Sequence, residues 1–137
     1  MRLTLSEREK AMPAVKFLNE VADPSWEQIA SVIRELKSDA GDKGYTLTVD
    51  DENVLIVYHT MQGYLVSGSE QGDTDYYVIT DPSLGEQHVV VWCAGTDMDR
   101  PRKVFVSDSL ALQAIKHYFE TGKRNPALRW EIDSKCW

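Results

Sequence analysis

The chain has 137 residues, 42% hydrophobic and 27% charged, and its 22 acidic against 15 basic side chains leave a formal charge of −7. That composition is ordinary for a globular chain, and the length suits one domain that removes roughly two-thirds of its unfolded surface from water. The negative balance argues against nucleic acid or an anionic membrane as a direct partner, since both reward basic patches, and favours a basic protein.

Taken in order, residues 1–10 hold no apolar signal core. Ala14, Val15, Leu18, Val21 and Ala22 suit a short helix after Pro13, or else the first residues form a charged tail. Asp23 and Pro24 break this segment. Ser25 followed by Gln28 is a capping box, and Trp26, Ile29, Ile33 and Leu36 form one apolar stripe behind it. A glycine-containing run at 38–44 stops that helix.

From Tyr45 the period changes to two. Residues 45–49, 54–59, 64–68, 76–80, 88–94 and 103–107 read as strands, separated by connectors rich in Gly, Pro, Asn or Asp. Ser107 then caps a helix whose stripe is Leu110, Ala111, Ala114, Ile115, Tyr118 and Phe119. Gly122 supplies a left-handed stop and Pro126 forbids resumption. Leu128 and Trp130 alternate with Arg129 and Glu131 in a last strand. The expected fold is α+β in a single domain over residues 1–137. It has a twisted, meander-like antiparallel sheet of about six to seven strands and two main helices packed on one face. The longest apolar run, around residues 89–94, is too short to cross a bilayer. Cys93 and Cys136 lack metal or redox spacing, which points to a reducing cytoplasm.

Residues 44–99 contain ten acidic side chains and no lysine or arginine. In an antiparallel meander, alternate connections fall at the same end of the sheet. The connections at 50–53, 69–75 and 95–102 would then share one end and gather Asp50, Asp51, Glu52, Glu70, Asp73, Asp75, Asp97 and Asp99 into an acidic rim. Acidic residues favour turns in any protein, and that alone accounts for some of them. As a docking surface, the rim would steer a basic protein partner and set specificity more than affinity. Tyr64, Tyr76 and Met98 are candidate anchors within it, Tyr64 being better suited to packing.

Catalytic signatures are sparse. His59, His88 and His117 stand in no metal spacing, and there is no serine-nucleophile elbow, P-loop or dinucleotide-binding glycine motif. Cys93 closes an apolar strand and reads as a small core residue. Neither Asp73 with Asp75 nor Asp97 with Asp99 continues as a calcium loop. No cofactor or metal is implied, and a binding protein fits this inventory better than an enzyme. Two other readings stay open: a small metal-dependent hydrolase using the acidic edge with His59 or His88, and a scaffold or dimerisation module.

The C-terminal third resembles the signature of the Imm1 family of bacterial immunity proteins. Its features are Val104 and Val106, Ala111 and Ala114, Phe119, Gly122, Trp130 and Glu131. Trp26 in DPSWEQI, Gly63 with Tyr64, and Ala94-Gly95 with Pro101 extend the likeness over about residues 21–131. Two departures stand out: 94–99 reads AGTDMD where a glycine pair and a glutamine are expected, and residues 1–20 have no counterpart. The resemblance implies a non-enzymatic antitoxin that stays in the cytoplasm of its producer and binds a cognate toxin domain. The implied toxin belongs to polymorphic or contact-dependent killing systems, in which deaminases and nucleases are frequent. A domain that attracts phosphates is basic near its site, so this expectation and the acidic rim agree.

Overall fold

The computed structural model describes residues 1–8, 15–38, 42–50, 53–70 and 73–133. In chain order these form β1 (Arg2–Arg8), β2 (Val15–Ala22), α1 (Trp26–Glu35), β3 (Lys43–Asp50), β4 (Asn53–Thr60) and β5 (Gly63–Ser69), then β6 (Tyr76–Ile79), β7 (His88–Cys93), β8 (Thr96–Pro101), α2 (Asp108–Thr121) and β9 (Trp130–Asp133). Seven strands make one antiparallel sheet in the order β2-β1-β3-β4-β5-β6-β9, while β7 and β8 pair only with each other. The α+β class therefore holds.

Strand alternation divides the sheet's two faces. Tyr45, Leu47, Leu55, Val57, Tyr64, Val66 and Ile79 point to one side and pack with Ile29, Ile33, Ala111, Ala114, Ile115 and Tyr118 of the helices. Tyr58, Leu65 and Val78 point to the other and pack with Val91, Cys93, Met98 and Phe105. The molecule has three layers: helices, sheet, hairpin. Close approach on the hairpin side needs Gly44, because a Cβ there would lie 2.6 Å from the Tyr58 ring.

Both helices start at their caps, and α2 also stops at one, whereas α1 runs on into a 3-10 turn at Leu36–Ser38. Ser25 and Gln28 form the reciprocal capping box of α1. The Ser107 hydroxyl accepts from the Leu110 amide, and Gly122 at φ 74° ends α2 by donating to the Tyr118 carbonyl at 2.7 Å. Tyr64 ties sheet to helix by donating its buried hydroxyl to the Ile33 carbonyl at 3.0 Å. Burial, and then the Asp108 carboxylate, push that phenol up to about 12.

Three expectations are corrected. Residues 15–22 are strand, not helix: β2 pairs with β1 from Arg2↔Ala22 to Arg8↔Val15. A short apolar run does not decide between periods, and an adjacent strand with backbone groups to satisfy decided it here. The opening residues are likewise no tail, since β1 lies between β2 and β3 with Leu3 in the core. Finally, strand and connector exchange places before α2. Residues 96–101 form β8, whereas 102–104 make a single 3-10 turn and only Val106 bridges to the sheet.

That bridge fills a gap. β6 pairs with β5 only at Ser67 and Gly68, so the other half of β5 lacks a neighbour on that side. Val106 takes the place, exchanging backbone hydrogen bonds with Tyr64 at 2.8 and 2.9 Å. Phe105 then packs into the hairpin layer and Val106 into the helix layer, so two successive residues enter both cores.

Candidate partner-binding surface

The acidic side chains of residues 44–99 fall into two groups. The turns joining β3 to β4 and β5 to β6 share one end of the sheet, as antiparallel succession requires. Asp50 braces the first turn, accepting from the Asn53 amide at 3.0 Å and from its side chain at 2.9 Å; Asp51 and Glu52 lie outside the described residues. In the second, Asp73 accepts from the Glu70 amide at 2.9 Å.

Here a cation arrives from elsewhere in the chain. Arg124, just past α2, donates through Nη1 to Asp73 at 2.7 Å, and its own amide donates to Glu70 at 2.7 Å. Its guanidinium stacks on Tyr77 with 4.2 Å to the ring centroid. Burial works against the Asp73 carboxylate, but Arg124 and the Glu70 amide outweigh it and hold the carboxyl below the usual range. Burial pushes the Tyr118 phenol well up; the Val49 backbone opposes this, and the charges of Asp50 and Glu70 add to it. Asp75 remains exposed, and Tyr76 is half-buried opposite Asp133 in the edge pairing of β6 with β9.

Asp97 and Asp99 are not at that end, because their segment is strand β8 and β8 has left the sheet. Residues 92–97 turn back at the opposite end, where the Trp92 indole donates to Asp42, the residue before β3. Backbone geometry makes the turn: Ala94 at φ 54° and Gly95 at φ 78° give a two-residue connection with both central residues left-handed. Met98, an expected anchor, is buried on the inner face with Val91 and Cys93. Tyr64, another, is a core residue.

The outer face of the hairpin carries His88, Val90 and Trp92 on β7, opposite Pro101, Asp99 and Asp97 on β8. His88 Nδ1 lies 2.9 Å from Asp99 Oδ1 with both side chains exposed. Sequence reasoning missed His88, Val90 and Trp92 as surface residues. The signal was the alternation of Asp97 and Asp99 about Met98, obscured because aspartate is depleted in strands.

His59 and His88 are on different layers, His59 edge-on to the Tyr64 ring on the helix side and His88 on the hairpin's outside. Among the described residues no three His, Cys, Asp or Glu side chains gather as a metal site. No helix among them is long and apolar enough to cross a membrane.

The family model for immunity protein Imm1 matches residues 15–131. The chain belongs to the Imm1 family. No curated protein matches it. Membership identifies an immunity protein directed against a toxin, in a family that is generally non-enzymatic. The Imm1-like residues have physical reasons here. Gly63 takes φ 139°, and a Cβ there would lie 2.7 Å from the Val106 carbonyl oxygen that fills the gap beside β5. Gly122 is the left-handed stop of α2. Trp26 and Phe119 join the helices with ring centroids 5.8 Å apart. Trp130 packs against the helix-side core while its indole donates to the Asn125 carbonyl at 2.9 Å. Pro101 ends β8 where the chain turns toward α2. The glycine pair expected at 94–95 corresponds to two left-handed positions, of which this chain fills the first with alanine.

Proposed function

We propose that this Imm1 protein protects its producer's cytoplasm by occluding the active-site cleft or substrate path of a toxin domain that acts on DNA or RNA. The family match carries the reading. Charge supports the class of toxin: ten carboxylates and no lysine or arginine in residues 44–99 complement a domain that must attract phosphates. The contacts would come from acidic residues at 50–52, 70–75 and 97–99. Among the described residues Asp50, Asp75, Asp97 and Asp99 are the exposed members, while Glu70 and Asp73 shape their loop around Arg124.

Co-expression tests this. The probe is the C-terminal domain of the reading frame directly upstream, where that frame ends in a toxin domain; it is induced in a host with and without this chain. Growth is restored by the chain, and the purified domain's deamination or cleavage of nucleic acid stops at one equivalent. Unrescued growth despite abundant soluble chain would overturn the proposal, and rescue from a toxin that leaves nucleic acid intact would overturn its finer part.

A further inference from the structure

The geometry points to the outer face of the β7–β8 hairpin as the surface that meets the toxin, with Val90 as its apolar contact and Asp97 and Asp99 as its steering charges. This rests on the toxin-binding reading above.

The hairpin is built as a platform. Its inner residues Val91, Cys93 and Met98 are at most 7% exposed and lock it to Tyr58, Leu65 and Val78 of the sheet. Its outer residues are held without being covered. Val90 is 65% exposed, high for a β-branched residue in mid-strand, and sits in register with Asp99. The His88–Asp99 contact and the Trp92–Asp42 hydrogen bond fix side chains on either side of it. A surface whose rotamers are already set loses less entropy on binding.

Charge selects the occupant. Asp97 and Asp99 are exposed, and alternation turns Arg100 inward, where its guanidinium Nε lies 3.7 Å from Asp133. No lysine or arginine stands on the outer face of either strand. Nucleic acid is repelled by such a face. A second copy of the chain would bring the same carboxylates against each other. What fits is a protein surface with lysine or arginine side chains around an apolar spot that covers Val90, and a nucleic-acid-cleaving or deaminating domain presents basic groups beside its substrate path. The loop at 69–75 is a weaker candidate, because Arg124 already neutralises part of its charge.

The test uses the full chain and, as probe, the C-terminal domain encoded directly upstream, inactivated by substitution at its catalytic residue. The Asp97→Lys/Asp99→Lys variant is expected to slow association at least about 10-fold in about 50 mM NaCl and less at about 300 mM. Val90→Ser is expected to speed dissociation. Glu27→Lys/Glu120→Lys makes the same change in net charge on the helix layer and is expected to leave association within about 2-fold of the parent. Thermal unfolding of each variant separates lost binding from lost fold. If the parent binds and the two double variants slow association equally, net charge rather than this face is responsible and the inference falls. It falls too if the hairpin variant binds like the parent. If the parent itself does not bind, the toxin-binding reading fails and takes this surface with it.

Discussion

Glu70 and Asp73 at one end of the sheet, and Asp97 and Asp99 on the hairpin, come from the same lysine- and arginine-free window, yet they are in opposite situations. The first pair closes around Arg124, whose side chain is 19% exposed. The second pair lines an open face with a histidine as its neighbour. An acidic stretch in a sequence is therefore not one surface. What an aspartate does depends on whether a cation reaches it from a distant part of the chain, here 51 residues away.

Removing Arg124 breaks this contrast most severely. Arg124→Ala leaves two partly buried carboxylates without their cation and Tyr77 without its stacked guanidinium, so unfolding should become easier by about 3 kcal/mol. Chemical denaturation measures this directly. Acid sharpens the same point. Because the Asp73 pKa is lowered from 3.8, its contribution to stability is present above that pH and disappears as pH falls through the lower folded-state value. Asp73→Asn should flatten that part of the stability–pH curve. An unchanged curve would show that Arg124 is not what holds the loop.

Next in size is Gly44→Ala, which tests how rigidly the hairpin side is packed. The new methyl meets Tyr58 ring atoms at 2.6 to 2.9 Å, and the ring is buried. Overpacking of this kind should cost about 2 kcal/mol. A cost near zero would mean that the hairpin yields easily and is a poor platform.

The smallest effect expected is at the hairpin turn. Ala94 in a left-handed conformation costs about 1–2 kcal/mol, against about 0.8 kcal/mol for its buried methyl. Ala94→Gly should therefore raise stability by about 0.5 kcal/mol and leave toxin binding intact. A drop in melting temperature would mean that the methyl's packing outweighs the backbone strain.

These regions also differ in how plainly the sequence announced them. The helices were legible almost to the residue, because Ser25, Gln28, Ser107 and Gly122 each do a local job that needs no distant partner. The central strands β3 to β6 were legible from period-two alternation and short turns. The remaining strands are defined by the strand they pair with rather than by a local signal. β2 needed β1, and β1 announced itself only through Leu3 and Leu5 about Thr4. β8 carries three charged residues and one buried apolar side chain, so it reads as a turn until β7 is beside it. A single acidic rim requires every strand to stay in one sheet. A hairpin that leaves the sheet moved two of its members to another layer.

Cys93 turns this layering into a clock. Its thiol is 0% exposed between sheet and hairpin, and an alkylating reagent must wait for the hairpin to lift. The rate of labelling at Cys93, resolved from Cys136 by peptide mass, therefore counts hairpin openings in the native protein. A partner seated on the outer face would hold the hairpin down and slow that clock. A partner seated at the Arg124 end would leave it running at the same rate.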